Sequence, residues 1–384
     1  AVNPKGFNKN IHVLQDYPAT STDEGRAMLQ IVHDVAPGAE LYFRTGFLTA
    51  GDFATGINEL TAAGCKVIVD DVTYITEPYL KDGVVAKAVD AAKLNGVSYF
   101  SSAGNFGKKS YEKDFRPVDA ATAGFSGKKA HNFSNTGIDI LQRVTFAPGN
   151  YTIVLQWVDD IYTSPIGQIS GTKFDLDMFW TSNTNGTGLK GFNRDNTNGD
   201  PLEIMPFTIN TTTDASFLIL NNTSGGFPAR IKYIIYRGDV QILEWPGGTS
   251  TVVGQANALG AIAVGAARFD KVPSYKPYNL TVPKIEDYSS IGGTKTEGVV
   301  RQKPDLVAPD GGNSTVKMGQ DYSNAETGVE LDGYSNFFGT SAAAPHAAAV
   351  AALIMQGRKK FLAQATTTPD AIKSFQLQYR GVFN

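Results

Sequence analysis

The sequence predicts an α/β protein: a doubly wound, mainly parallel sheet, interrupted by an inserted antiparallel β-sandwich. Two observations predict it. Strand-like and helix-like runs alternate up to about residue 101, the rhythm of a parallel sheet with crossover helices. Helical periodicity then becomes scarce between Gly107 and Gly248, where short alternating runs lie between Gly, Asn, Asp, Thr and Pro clusters, and the α/β rhythm resumes afterwards. The expected organisation is a first α/β part at 1–107, the inserted sandwich at 108–248 and a second α/β part at 249–384.

Each element has its own signal. Ile11–Leu14 reads as a short strand. Ala27, Met28, Ile31, Val32 and Val35 recur at helical spacing, so Glu24–Val35 is expected as a helix capped by Asp23 or Thr22 and stopped by Pro37-Gly38. Glu40–Arg44 is expected as a strand. Asp52–Ala63 carries Phe53, Ile57 and Leu60 on one face. Val67–Val72 is a β-branched run of the kind buried on both faces. Gly83–Asn95 reads as a helix ended by Gly96, and Val97–Ser101 as the next strand. In the middle stretch, Val144–Phe146, Tyr151–Trp157, Phe174–Trp180, Pro206–Ile209, Ser216–Leu220 and Ala229–Tyr236 read as antiparallel strands. Ala261–Ala266 and Lys303–Pro309 return to the parallel sheet.

Composition limits the function. The chain has 384 residues with 42% hydrophobic and 18% charged, enough for a large core. A net charge of −3 and the lack of a basic stripe argue against a nucleic-acid partner. No apolar run reaches membrane-spanning length, since Pro345 and His346 interrupt the longest. The single cysteine, Cys65, excludes an internal disulfide and a cysteine metal cluster. Low cysteine usage and many Asn/Thr/Gly loops fit a secreted or cell-surface bacterial protein.

The chemistry gathers at Phe338–Ala349, F-G-T-S-A-A-A-P-H-A-A-A. Ser341 heads a long apolar helix. The unpaired N–H groups and positive dipole end there stabilise negative charge beside its hydroxyl, which suits a nucleophile and its oxyanion. Pro345 is expected in the first turn, where proline is cheap. The plainer reading is a serine cap on a buried helix.

Four segments in one order resemble the subtilisin and sedolisin serine peptidases. They are Glu24–Leu41 (E-G-R-A-M-L-Q-I-V-H-D-V-A-P-G-A-E-L), Ser102–Gly107 (S-A-G-N-F-G), Lys303–Pro309 (K-P-D-L-V-A-P) and Phe338–His346. The resemblance implies a serine peptidase with Ser341 as nucleophile, Asn105 in the oxyanion hole and Glu24 as general base, in a sedolisin-like subgroup that has glutamate in place of the catalytic histidine. The chain departs from the pattern in three places. Sedolisins pair the glutamate with an aspartate four residues on, and that position is Met28. Sedolisins often have aspartate in the oxyanion hole, where this chain has Asn105, the subtilisin choice. The first strand of subtilisins, with its aspartate, has no counterpart; either a separate N-terminal fragment completes the fold or the chain works without it.

Asp71 is expected to stand in for the lost acid. It leaves a buried strand beside Asp70, and two carboxylates in one pocket push one pKa up. The alternative for both is an ion pair with Lys or Arg. His33 and His346 are expected to serve packing and the helix dipole. Asp175 and Asp177 alternate on one strand face next to the Asx-rich loop Asn193–Asp200; calcium could sit there, but a solvated edge is the plainer reading, and no cofactor or metal is expected. The expected partner is a protein or peptide substrate. The competing function is a catalytically impaired scaffold that binds partners through the sandwich.

Overall fold

The computed structural model describes residues 11–19, 22–162, 171–191, 193–246, 250–275, 280–321 and 331–378. Its first elements follow from local sequence. β1 (His12–Gln15) is followed by α1 (Glu24–Val35). α1 buries Ala27, Met28 and Ile31 along one stripe. Asp23 occupies the cap position, but in a left-handed conformation (φ 65°), and its carboxylate engages Arg26 instead of the helix N–H groups. β2 (Tyr42–Arg44) leads to α2 (Ala50–Ala62), which Thr49 caps by accepting a hydrogen bond from the Asp52 N–H at 3.1 Å. β3 (Val67–Asp70), α3 (Val84–Leu94) and β4 (Ser98–Ser102) follow.

β3 and β4 belong to a four-stranded sheet in the order Leu306–Asp310, Ala261–Arg268, β4, β3, with every pair parallel. Helices cover both faces. Successive residues of β4 point opposite ways. Tyr99 therefore packs with Phe53, Ile57, Val85 and Val89 of α2 and α3, while Phe100 packs with Ala343, Ala344 and Ala347 of the long helix α4 (Thr340–Leu362). α5 (Pro369–Gln378) adds Ile372 to the second layer. The fold is thus mixed α/β with a parallel sheet.

One expectation fails here. β2 does not join the four-stranded sheet; it pairs only with β1, in parallel, as a separate ribbon. β3 is therefore an edge. Ile68 and Asp70 are buried but Val67 and Val69 only half so, unlike a strand covered on both sides. The reason is a cavity of about 600 Å³ between the two ribbons. Tyr42–Phe47 line it on one side and Ile68–Val72 on the other, with α1 and α2 contributing Glu24, Met28 and Ile57.

The middle of the chain folds as two antiparallel sheets sharing one core. The first contains Leu202–Ile209, Gly149–Trp157, Arg230–Arg237 and Ser110–Asp114 in that order. The second is built around Thr213–Asn221, flanked by Leu176–Thr181 and Gln142–Phe146. Tyr151, Trp157 and Tyr233 of the first meet Phe146, Met178 and Phe217 of the second. Sequence patterning finds six of these strands but not Ser110–Asp114, whose S-Y-E-K-D lacks an apolar alternation.

That unpredicted strand joins the two parts. Buried Glu112 accepts from Lys232 Nζ at 2.9 Å and from Arg230 Nε at 2.8 Å, and Ser250 Oγ, outside the two sheets, donates to it at 2.9 Å. Burial opposes ionisation of Glu112, but Lys232 and Arg230 outweigh it and hold the carboxyl at about 2. Its folded pKa thus lies below the usual value near 4.3, so its contribution is full above that value and lost as pH falls towards 2. Glu112→Ala leaves Lys232 buried without this partner and is expected to cost about 3–5 kcal/mol. Urea unfolding should show that loss at pH 7, and the wild-type midpoint should fall between pH 4 and 2 more steeply than that of Glu112→Gln.

Candidate active site

Ser341 is the second residue of α4 and half-buried. The residue before the helix, Gly339, has φ 113°, a conformation side chains rarely adopt. A β-carbon there would lie 3.1 Å from Asn105 Nδ2 and 3.7 Å from the Ser341 nitrogen. The missing side chain thus leaves open the space beside which these two donors lie. Asn105 follows β4 through Gly104 and is exposed. Its orientation is determined by Thr340, whose N–H and hydroxyl both donate to Asn105 Oδ1 at 3.0 Å, while the Gly104 N–H donates to Thr340 Oγ1 at 3.1 Å. Because Oδ1 takes both donors, Nδ2 is the amide atom left for a ligand.

Pro345 stands in the second turn of α4, not the first. Lacking an N–H, it cannot donate to the Ser341 carbonyl four residues back. The helix runs on through it.

Behind this arrangement is a residue that motif reading missed. Asp310 closes the strand Leu306–Asp310, fully buried, and accepts the Gly339 N–H at 3.0 Å and the Tyr288 hydroxyl. Burial pushes its carboxyl up, against those two hydrogen bonds. The signal was available: an acid directly after L-V-A-P at the carboxyl end of a parallel strand.

Glu24 and Asp71 form a second group. Glu24 opens α1 and Asp71 leaves β3, both half-buried, and their carboxyls lie within hydrogen-bonding reach of each other. The Asp71 carboxyl is pushed well up, first by burial and then by the Glu24 charge. Asp70 is fully turned inward. Its Oδ1 accepts from Ser101 Oγ at 3.1 Å, Gln255 Nε2 at 3.0 Å and the Val72 N–H at 3.2 Å. Burial raises it to about 6. Among the described residues neither aspartate makes an ion pair with Lys or Arg, so the ion-pair alternative does not hold. Met28, one turn after Glu24, is buried against Phe337 and Ala342.

The structure therefore brings the four predicted residues together as two pairs. Ala27, Met28 and Ile31 of α1 pack on Ala342 of α4, which sets Glu24 and Ser341 on neighbouring helices. Among the described residues no hydrogen bond joins Ser341 Oγ to Glu24. The histidines are engaged elsewhere. His346 Nδ1 lies 2.8 Å from the Ala342 carbonyl, and burial lowers its pKa. His131 lies 2.7 Å from the Tyr111 hydroxyl, and burial pushes it down to about 3. His33 is buried at the far end of α1, and His12 stacks on Tyr42. No described helix is long and apolar enough to cross a membrane.

Peptidases are among the matches that comparison with known proteins gives. The subtilase family model matches residues 221–378, which include α4 and Ser341 but not Glu24, Asp71 or Asn105. The subtilisin-like protease SBT2.2 of Arabidopsis thaliana is 34% identical over 131 residues, which cover 33% of this chain and 13% of that protein. The chain thus matches only a small part of that relative's length. Among solved structures, the CspB protease of Clostridium perfringens superposes with a TM-score of 0.48 at 15% identity, over 84% of this chain and 62% of that one. The self-cleaved protease domain of PatA gives 0.40 at 14% identity, over 96% and 79%. The family match thus spans the Ser341 helix, and the plant relative is a subtilisin-like protease.

Proposed function

We propose that this protein hydrolyses peptide bonds by acyl transfer through Ser341, with Glu24 as general base. The observation that carries the proposal is the opening at Gly339, beside which Asn105 Nδ2 and the Ser341 N–H lie. Two donors beside an open space at a helix N-terminus suit a developing oxyanion. Ser341 Oγ attacks the peptide carbonyl and its proton passes to Glu24. The tetrahedral intermediate collapses with loss of the amine, which leaves with that proton, and water releases the acyl group by the same steps in reverse order. Asp71 shares a proton with Glu24 and raises the basicity of the pair, an arrangement of the sedolisin-like kind with aspartate from a different strand.

The same reading includes a further extended segment, an N-terminal fragment, lying between β2 and β3. Its support is the cavity between two strand edges that make no ladder bonds across it. Residues 108–248 act as an inserted sandwich domain that filters substrate between the α/β parts 1–107 and 249–384. Secretion or cell-surface display fits the single cysteine and the Asn/Thr-rich loops. The second reading, a catalytically impaired scaffold, draws on Met28 and on the lack of a hydrogen bond between Ser341 and Glu24.

A fluorophosphonate probe separates the two. Labelling is expected between pH 3 and 8, abolished by Ser341→Ala and weakened by Glu24→Gln. No labelling, with the N-terminal fragment also supplied, would sink the peptidase. Asn105→Ala should lower peptide hydrolysis by roughly 10²–10³ while leaving the fold intact. Asp71 gives an independent check. Its folded pKa is raised, so its stabilising, protonated form is present at low pH and lost as pH rises through that pKa. Asp71→Asn removes the repulsion with Glu24, so its Tm should exceed that of the wild type at pH 8 and converge with it near pH 4. A Tm lower than wild type at pH 8 would refute the shared-proton pair.

A further inference from the structure

The two sheets of the middle segment meet at a group of oxygen atoms that lacks a partner. Asp177 lies in Leu176–Thr181 of one sheet and Glu203 in Leu202–Ile209 of the other. Asn196 belongs to the loop between them. All three are buried, at 0%, 3% and 2% exposure. Asn196 is held in one orientation: its N–H donates to Asp175 Oδ1 at 3.1 Å and its Nδ2 to the Leu202 carbonyl at 2.8 Å. That leaves Asn196 Oδ1 buried with no donor, and Asp177 Oδ1 is in the same state. Two orphaned buried acceptors are a large cost unless something electropositive satisfies them.

Among the described residues no hydrogen bond reaches either orphaned oxygen. Asn222 Nδ2 satisfies the other oxygen of Asp177. Lys128 is directed to the Asn222 carbonyl at 2.7 Å. Among the described residues no ion pair reaches Asp177 or Glu203. Asp175 brings a further carboxylate two residues from Asp177, and Glu203 Oε2 lies 3.5 Å from Asn196 Nδ2. No three acidic, histidine or cysteine side chains already converge at ligand distance. The donor set is instead carboxylate plus amide oxygen. Hard, mixed oxygen donors without imidazole or thiolate select calcium, whose irregular coordination tolerates such a set better than magnesium's strict octahedron.

We propose that Asp177, Asn196 and Glu203 hold a Ca²⁺ ion that ties the loop 193–201 to both sheets. Titrating the EDTA-stripped full chain with CaCl₂ by calorimetry tests it, with thermal unfolding in parallel. One binding event is expected, with a Tm rise that MgCl₂ does not reproduce. Asp177→Asn should abolish the event, and Glu203→Gln, kept as the milder variant should the first fail to fold, should weaken it about tenfold or more. No heat and no Tm rise up to about 10 mM Ca²⁺ would overturn the proposal, because even weak extracellular calcium sites fill by then. Equal binding of Mg²⁺, or undiminished Ca²⁺ binding in Glu203→Gln, would overturn it as well.

Discussion

The two hydrogen bonds from Thr340 into Asn105 Oδ1 hold the candidate site together, and much of the fold serves to fix their two ends. One end is α4. Its alanines at 343, 344, 347, 348 and 351 let the helix axis lie close on Phe100, Val264 and Ala308, where bulkier side chains would hold it away. The other end is the turn after β4, a strand buried along its whole length. Between them Gly339 must be glycine for two separate reasons, its backbone angle and the atoms a side chain would meet. Asp310 adds a third anchor by accepting the Gly339 N–H from behind. A loop and a helix start, each mobile alone, become one rigid unit with outward-facing donors. Such preorganisation is what makes hydrogen bonds effective on developing charge.

The carboxyl pair obeys the opposite logic. Glu24 and Asp71 sit at the end of β3, where the sheet stops and a cavity begins. Putting two acids together is unfavourable in any setting, and half-burying them raises the cost. The surroundings do not relieve it: Asp70 adds more negative charge from one residue away, and its own oxygen is taken by Ser101 and Gln255. Such frustration is retained where protonation matters to function. Met28, one turn after Glu24, is given over to packing against Phe337 and Ala342.

What was legible in the sequence followed local periodicity and short motifs. α1 agrees with its apolar spacing from Glu24 to Val35, β3 lies in its β-branched run, and Ala261–Arg268 follows its run of small apolar residues. Ser341 and Asn105 stand out in the sequence because each lies in a short motif whose backbone needs are local. What escaped was set by partners far away in the chain. β2 looked like a sheet strand because edge and central strands share one composition; only the cavity beside β3 shows the difference. Ser110–Asp114 was missed because its stabilising contacts are ionic, to Lys232 and Arg230 more than a hundred positions on. Asp310 was passed over although it ends a motif already noticed, since its value lies in a contact with Gly339.

These long-range contacts also decide how the middle segment acts on the site. A sandwich tethered by flexible linkers would change only the local concentration of what it binds. Here the first sheet rests directly on the α/β part. The Gln156 side chain accepts from the Tyr79 N–H and donates to the Glu77 carbonyl, at 2.8 and 3.0 Å. Glu112 and Lys232 reach across to Ser250. Phe106, the neighbour of Asn105, stands edge-on to Tyr236 with ring centroids 4.7 Å apart. The loop bearing Asn105 is therefore packed from one side by α4 and from the other by the first antiparallel sheet, whose Val154, Ile234 and Tyr236 share a cluster with Phe106. That sheet is a structural support of the candidate site as well as a neighbour to it.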